Sequence, residues 1–150
     1  MVRRLILPHV LLWCIQVEGR IQWTDCTKQS NVVKGFTIEE CRNEPCTLKA
    51  GQTLTGTMVF EPAQAFPVIV PWVRVTGPLG FKQWIKFPSP YVDGCKFTTP
   101  SCPVQPGSFY TIDIQTKVPN RKYNNKVQIA LFDQGSEIIA CVQLHLLIQV

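Results

Sequence analysis

Six cysteines constrain this chain more than any other feature of its sequence. The chain has 150 residues and seven cysteines, of which Cys14 falls in an apolar N-terminal segment. The remaining six are Cys26, Cys41, Cys46, Cys95, Cys102 and Cys141. Six cysteines allow fifteen pairings in principle, and spacing alone does not choose among them. Because two pairs are close in sequence, the simplest arrangement has two local disulfides and one long-range disulfide between the chain ends.

A zinc site is the alternative use of these cysteines. Four residues separate Cys41 from Cys46, which is a loose spacing for zinc. No Cys-x2-Cys pair and no pair of histidines completes a tetrahedral ligand set. We therefore predict disulfides and no metal, and disulfides persist in oxidising compartments outside the cytosol.

The first nineteen residues have the pattern of a secretory signal. Arg3 and Arg4 give a positive start, residues 5–17 are mostly apolar, and residues 17–19 offer small or β-branched side chains at the cleavage positions. The apolar run is too short to span a bilayer. We predict a signal peptide over 1–19 and one exported domain over 20–150. The sequence has no Asn-x-Ser/Thr sequon, so a secreted extracellular protein is favoured over a lysosomal one addressed by an N-linked sugar.

Apolar and polar residues alternate along most of the remaining chain. The alternation covers 53–60, 110–115, 127–131 and 138–149, and residues 68–75 are apolar on both faces. Turn-forming pairs such as Ala50-Gly51, Asp93-Gly94 and Pro106-Gly107 separate these segments. Short alternating segments at this spacing, with no long helical period, predict an all-β sandwich of antiparallel strands.

Catalytic and nucleic-acid-binding patterns are missing from the sequence. His145 is the one histidine after residue 19, and no nucleophile, zinc-protease or phosphate-loop motif accompanies it. The formal net charge is +5, and the basic residues are scattered. We predict that the protein is not an enzyme, has no cofactor and does not bind nucleic acid. The mild positive charge suits either contact with anionic membranes or an ordinary soluble surface.

Several short motifs occur in a characteristic order along the chain. They are Trp23-Thr24-Asp25-Cys26, Cys41-Arg-Asn-Glu-Pro-Cys46, Phe87-Pro88-Ser89-Pro90, Asp93-Gly94-Cys95, Cys102-Pro103, and Cys141 in the final strand. In this order they resemble the MD-2-related lipid-recognition (ML) family, and within it the branch of sterol carriers and group 2 mite allergens. The match covers nearly all of residues 21–150, and no single motif decides it.

The resemblance implies a fold, a covalent frame and a function. It implies an immunoglobulin-like β-sandwich of two antiparallel sheets with a lipid cavity between them. The implied disulfides are Cys26–Cys141, Cys41–Cys46 and Cys95–Cys102. The expected function is that of a secreted, monomeric carrier which moves a sterol, a fatty acid or a similar lipid between membranes or proteins, including a lipid-accepting membrane protein. The alternative is a recognition module that presents microbial lipid to a receptor.

The expected ligand-binding residues fall into two groups. Those expected to face the cavity from the strands are Leu54, Met58, Phe60, Val73, Val75, Tyr110, Ile112, Ile129 and Leu131, and for each of them ordinary sandwich core is an equal alternative. The resemblance places Phe87 at the cavity mouth, with a loop aromatic packed on the core as the alternative, and it places Val118, Pro119 and Tyr123 at the opposite lip. Leu131 stands where sterol carriers have a tryptophan, a change expected to enlarge the cavity or to admit a straighter ligand.

A predicted loop over 82–87 interleaves cations with bulky apolar residues. Lys82, Trp84 and Lys86 are expected to approach an anionic membrane, with Trp84 among the headgroups and the lysines on anionic lipid. The alternative is a solvated loop whose tryptophan packs back onto the protein.

Overall fold

Two β-sheets make up the described chain. The computed structural model describes residues 21–29 and 31–150, so the predicted signal peptide, residues 1–19, lies outside the described residues and stays a prediction. The strands are β1 Thr24–Asp25, β2 Val33–Ile38, β3 Cys46–Lys49, β4 Thr53–Phe60, β5 Val70–Thr76, β6 Lys82–Lys86, β7 Thr98–Thr99, β8 Tyr110–Lys117, β9 Tyr123–Phe132 and β10 Ile138–Gln149. Short 3-10 turns cover Pro78–Gly80 and Gly94–Phe97.

The sheets have six and four strands. In the larger sheet β10, β9, β5 and β6 follow one another, and β1 and β3 share the other edge of β10. The smaller sheet has the order β2-β4-β8-β7. Among the described strands only β3 pairs in parallel, with β10. The predicted all-β sandwich with antiparallel sheets is therefore confirmed, and its last long strand, β10, organises one edge of the larger sheet.

The predicted strand segments match β4 and β10, most of β5 and β8, and half of β9. The prediction of a loop over 82–87 is wrong, because Lys82–Lys86 form β6 and pair with β5 from Trp72↔Lys86 to Thr76↔Lys82. Positive φ angles at Leu79 and Gly80 reverse the chain between these two strands. The segment Lys-Gln-Trp-Ile-Lys alternates too weakly to indicate a strand, and its pairing with β5 decides its conformation.

The three disulfides join the pairs that the resemblance implied, which confirms that prediction. Cys26–Cys141 ties the residue after β1 to β10 across 115 residues, with 4.9 Å between the Cα atoms. Cys41–Cys46 and Cys95–Cys102 close short loops. In the chain-entropy view a bridge over a loop as long as the first stabilises the fold by about 5 kcal/mol.

The Asp-Gly-Cys segment has a structural role beside the third disulfide. Asp93 accepts a hydrogen bond from the backbone N–H of Cys95 at 3.2 Å. Gly94 donates to the carbonyl of Ile69 at 2.8 Å. A Cβ at Gly94 would lie 2.8 Å from the Ile69 side chain and 2.9 Å from its carbonyl oxygen. Only glycine permits this close approach, which anchors the loop against the residue just before β5.

Candidate functional site: an apolar cavity between the sheets

A small cavity lies where the inner faces of the two sheets meet. Its free volume is about 30 Å³. The smaller sheet contributes residues of β2, β4 and β8, the larger sheet contributes residues of β9, and one residue follows β6. The ten lining residues are Phe36, Ile38, Leu54, Gly56, Met58, Phe87, Ile112, Ile114, Ile129 and Leu131.

The strand register of the smaller sheet explains why these residues meet. Phe36, Met58 and Ile112 are directly paired across β2, β4 and β8. Two residues further along, Ile38, Gly56 and Ile114 form the next row. Side chains two residues apart on a strand share a face, so both rows project toward the larger sheet. From there the β9 residues Ile129 and Leu131 project back by the same rule.

The chemistry of this lining is wholly apolar. Met58 is exposed by 3%, Ile112 by 2% and Leu131 not at all. A volume of about 30 Å³ is enough for little more than one water molecule, but water needs polar partners to remain in a cavity. The lining offers no side-chain donor or acceptor, so the site suits a hydrocarbon group and disfavours a charge or an unpaired polar group.

Six of the predicted ligand-binding residues line this cavity: Leu54, Met58, Phe87, Ile112, Ile129 and Leu131. Phe87 is exposed by only 9%, and its backbone N–H donates to the carbonyl of Pro71 at 3.4 Å. The structure therefore places Phe87 in the wall of the cavity, and its position at the mouth stays a prediction. Contact between any of these residues and a ligand stays a prediction.

The other predicted residues lie outside the lining. Phe60 and Tyr110 are a cross-strand pair whose ring centroids are 5.9 Å apart. Val73 and Val75 pack against the core as partly buried residues. Val118 is buried beyond the end of β8, and its backbone N–H donates to the carbonyl of Gln52 at 2.8 Å.

Tyr123 and Pro119, which were expected at the lip of the cavity with Val118, also lie away from the lining. Pro119 is exposed. The Tyr123 hydroxyl accepts a hydrogen bond from the backbone N–H of Thr76 at 3.0 Å and donates to the carbonyl of Lys126 at 2.6 Å. These hydrogen bonds join the Tyr123 side chain to the last residue of β5 and to a neighbouring carbonyl in β9, and its place at a lip stays a prediction.

Four lining residues were not predicted: Phe36, Ile38, Gly56 and Ile114. Ile114 continues the alternation of Tyr110 and Ile112, so its position was available from the sequence. Phe36 and Ile38 alternate with Thr37, but Gly35 and a register shift shorten the pattern of β2. Gly56 has no side chain, so an apolar pattern does not identify it as part of a cavity.

The hairpin formed by β5 and β6 has two exposed apolar side chains in its turn, next to the start of the lysine-containing strand β6. Leu79 is exposed by 96% and Phe81 by 73%, and Lys82 and Lys86 are also exposed. Trp84 is half-buried, with its ring 5.0 Å from that of Phe132 and the Arg74 guanidinium 5.6 Å above it. The structure thus places Trp84 on the outer face of the larger sheet, while the hairpin tip projects.

Polar clusters are sparse in the part of the chain that the structure describes. Residues 21–29 and 31–150 contain no group of three or more His, Cys, Asp or Glu side chains placed to hold a metal ion. No helix within the same residues is long and apolar enough to cross a membrane. His145 faces Asn124, with its Nε2 atom 2.6 Å from the amide oxygen Oδ1.

Two packed β-sheets with three disulfides and an apolar cavity between them place this protein in the class of immunoglobulin-like β-sandwiches. The family model described as the ML domain matches residues 20–148. The chain belongs to the ML domain family, and the resemblance stated from the sequence is confirmed.

Relatives in this family cover most of the chain. It is 26% identical over 131 residues to the mite group 2 allergen Tyr p 2 of Tyrophagus putrescentiae, covering 87% of this chain and 88% of the allergen. It is also 26% identical over 136 residues to the NPC intracellular cholesterol transporter 2 of Canis lupus familiaris, covering 87% of each chain.

Solved structures share the fold at lower sequence identity. The Niemann-Pick type C2 protein from Japanese carpenter ant superposes with a TM-score of 0.71 at 17% identity, covering 85% of this chain and 99% of that protein. Chicken MD-1 complexed with lipid IVa gives a TM-score of 0.53 at 12% identity, covering 82% and 85%.

Proposed function

We propose that this protein is a lipid carrier that holds one slender apolar lipid, a sterol or a fatty acid, between its two sheets and transfers it between membranes or proteins. The observation that carries the proposal is a cavity formed by both sheets whose lining contains no polar side chain. Such a lining favours a hydrocarbon group over any ligand that brings charge into the interior.

The named relatives support lipid binding in general, and one of them supports the sterol class. That relative is an intracellular cholesterol transporter, whereas chicken MD-1, which shares the fold, has been solved as a complex with lipid IVa. Extending lipid binding from these proteins to this chain is part of the proposal. The apolar lining is the feature of this chain that makes the extension physically reasonable.

The cavity must enlarge when a lipid binds. A free volume of about 30 Å³ is far below the size of a sterol or a long acyl chain, since pockets that bury small-molecule ligands have volumes of about 300–1,000 Å³. Met58 has a flexible side chain that adapts to irregular spaces. Leu54 and Ile129 are only partly buried. These side chains are the ones we expect to move, with the ligand replacing the contacts that they lose.

Transfer requires contact with a membrane, and the β5–β6 hairpin offers the surface for it. Leu79 and Phe81 project from its tip and can enter the interfacial region of a bilayer. Lys82 directly follows Phe81, and Lys86 lies at the far end of β6; each adds about 1 kcal/mol on an anionic surface. Trp84, packed on Phe132, stabilises the hairpin in this proposal and does not enter the membrane.

Recognition of a microbial lipid for a receptor is the less supported function. A ligand with several acyl chains needs room for all of them, and the lining described here converges on one narrow space. The same lining accommodates a single chain or a single ring system with smaller movements of the sheets.

Displacement of a fluorescent apolar dye tests the carrier function. The dye is titrated into the exported protein, and cholesterol, a long-chain fatty acid and lipid IVa are added as competitors in separate experiments. We expect displacement by cholesterol or the fatty acid at one ligand per protein. Displacement by lipid IVa alone would favour recognition, and displacement by none of the three would refute lipid binding.

A further inference from the structure

Gly56 is a gap in an otherwise continuous apolar surface. It lies in the middle of β4, directly paired with Ile38 on β2 and with Ile114 on β8. Those two side chains are exposed by 4% and 7%. Leu54 and Met58, two residues away on either side, share its face of the strand and line the same cavity. Every neighbour of Gly56 on this face therefore brings a hydrocarbon side chain.

Backbone geometry does not require glycine at this position. The glycines with positive φ in the described chain are Gly51, Gly80 and Gly107, so Gly56 has a conformation that any residue adopts. A Cβ placed on it would lie 3.9 Å from both the Leu54 side chain and the Thr37 carbonyl oxygen. This separation is an ordinary van der Waals contact, in contrast with the 2.8 Å approach at Gly94.

A glycine within a strand weakens it, because glycine loses more backbone entropy on folding and has no side chain to pack. Neither a positive φ angle nor crowding accounts for a glycine at position 56. The structural effect that remains is the space that the missing side chain leaves in the cavity. The β4 backbone that faces the cavity at Gly56 suits a hydrocarbon ligand. Strand β4 is paired on both sides, with β2 and with β8, so its peptide groups need no hydrogen bonds from a ligand.

We propose that Gly56 determines how far a lipid extends into the sandwich. A hydrocarbon part of the ligand, a section of an acyl chain or the side chain of a sterol, lies flat on the β4 backbone between Ile38 and Ile114. The inference deepens the proposed carrier function and rests on it. A side chain at position 56 occupies the same space and shortens the longest ligand that fits.

Graded substitution at position 56 tests this inference. Gly56→Ala and Gly56→Leu are compared with the unmodified protein and with Thr55→Leu, which adds the same side chain to the opposite face of β4. Dye displacement gives affinities for saturated fatty acids of roughly eight to eighteen carbons, where each methylene that enters the cavity raises affinity about fourfold. A parallel series uses sterols with progressively shortened side chains. Urea unfolding without ligand reports the stability of each variant.

We expect affinity to rise with chain length and then to level off where the cavity is full. In Gly56→Ala the affinity levels off at a shorter chain, while stability is unchanged or higher. In Gly56→Leu it levels off at a still shorter chain, and Thr55→Leu behaves as the unmodified protein does. If Gly56→Leu does not fold, Gly56→Ala decides the outcome, because the space at this position admits a methyl group.

Two failures are distinguishable. If the unmodified protein binds one of the series and the position-56 variants level off at the same length, the inference about Gly56 is overturned and the carrier function stands. If the unmodified protein binds neither series, the carrier function fails and the role of Gly56 fails with it.

Discussion

The hydroxyl of Tyr123 accepts a hydrogen bond from the backbone N–H of Thr76 at 3.0 Å, which joins the first residue of β9 to the last residue of β5. The same hydroxyl donates to the carbonyl of Lys126. The end of β5 that leads into the hairpin turn is therefore fastened to β9, while Leu79 and Phe81 in the turn remain exposed. This attachment makes the turn a defined surface on an ordered hairpin.

Tyr123→Phe removes these hydrogen bonds and keeps the ring. We expect a loss of about 1–2 kcal/mol in the free energy of unfolding, because the Thr76 N–H is left without its partner. Lipid affinity should change less than twofold, since Tyr123 does not line the cavity. Urea unfolding and dye titration measure the two effects. A large loss of affinity at unchanged stability would instead place Tyr123 at the lip of the cavity.

Phe87→Ala tests whether the wall assignment is correct. Because Phe87 is buried and lines the cavity, truncation should cost about 3 kcal/mol or more in unfolding free energy without ligand. A saturating lipid should recover part of that loss, since a ligand that binds only the folded state stabilises it. Phe81→Ala, at an exposed ring, is the matched control and should cost less than about 0.5 kcal/mol. A comparably small loss of unfolding free energy for Phe87→Ala would instead indicate that Phe87 lies at an open mouth of the cavity.

Substitutions at the hairpin tip separate membrane contact from lipid binding. Leu79→Ser with Phe81→Ser should weaken binding to anionic vesicles without altering affinity for a soluble lipid analogue. Lys82→Gln and Lys86→Gln should each weaken vesicle binding about fivefold at low salt and less at high salt. Lys34→Gln, on β2 of the other sheet, is the control. Equal effects of the Lys34 and Lys82 variants would contradict a localised contact, as would vesicle binding that is insensitive to all of them.

The disulfides should contribute unequally to stability. Replacing Cys26 and Cys141 by serine opens a loop of 115 residues and is expected to cost about 5 kcal/mol in the chain-entropy model. Replacing Cys41 and Cys46 opens a loop with a separation of only 5, for which the same model gives about 2 kcal/mol. Unfolding midpoints of the two double variants measure the difference. The reverse ranking would show that the local disulfide holds β3 against β10 in a way that loop length does not describe.

The long strands were predictable because their burial is one-sided. In β8 the alternation of Tyr110, Ile112 and Ile114 with polar residues follows directly from one face being buried. Strand β6 was not predictable in this way, since it is an edge strand whose conformation depends on pairing with β5. The parallel pairing of β3 with β10 also depends on contacts that no local pattern encodes.

The residues of the candidate site also differ in how well a local sequence pattern predicts them. Met58, Ile112 and Leu131 were expected to face inward from strand periodicity, and they do. Tyr123 and Val118 were expected at a lip through resemblance; they lie outside the cavity lining and hydrogen-bond to Thr76 and Gln52, and their place at a lip stays a prediction. Gly56 was missed because hydrophobic patterns register the side chains that are present, whereas a cavity also depends on the space that a missing side chain leaves.

The placement of lysines on β6 has a consequence for solubility. In the described chain β6 is an outer strand of the larger sheet, and an outer strand offers unpaired backbone groups to any other extended chain. Charged residues at its ends, Lys82 and Lys86, disfavour such pairing because two copies would bring like charges together. A protein with an apolar hairpin tip is at risk of self-association in water. The charges used in the proposed membrane contact would therefore also keep copies of the protein apart in solution.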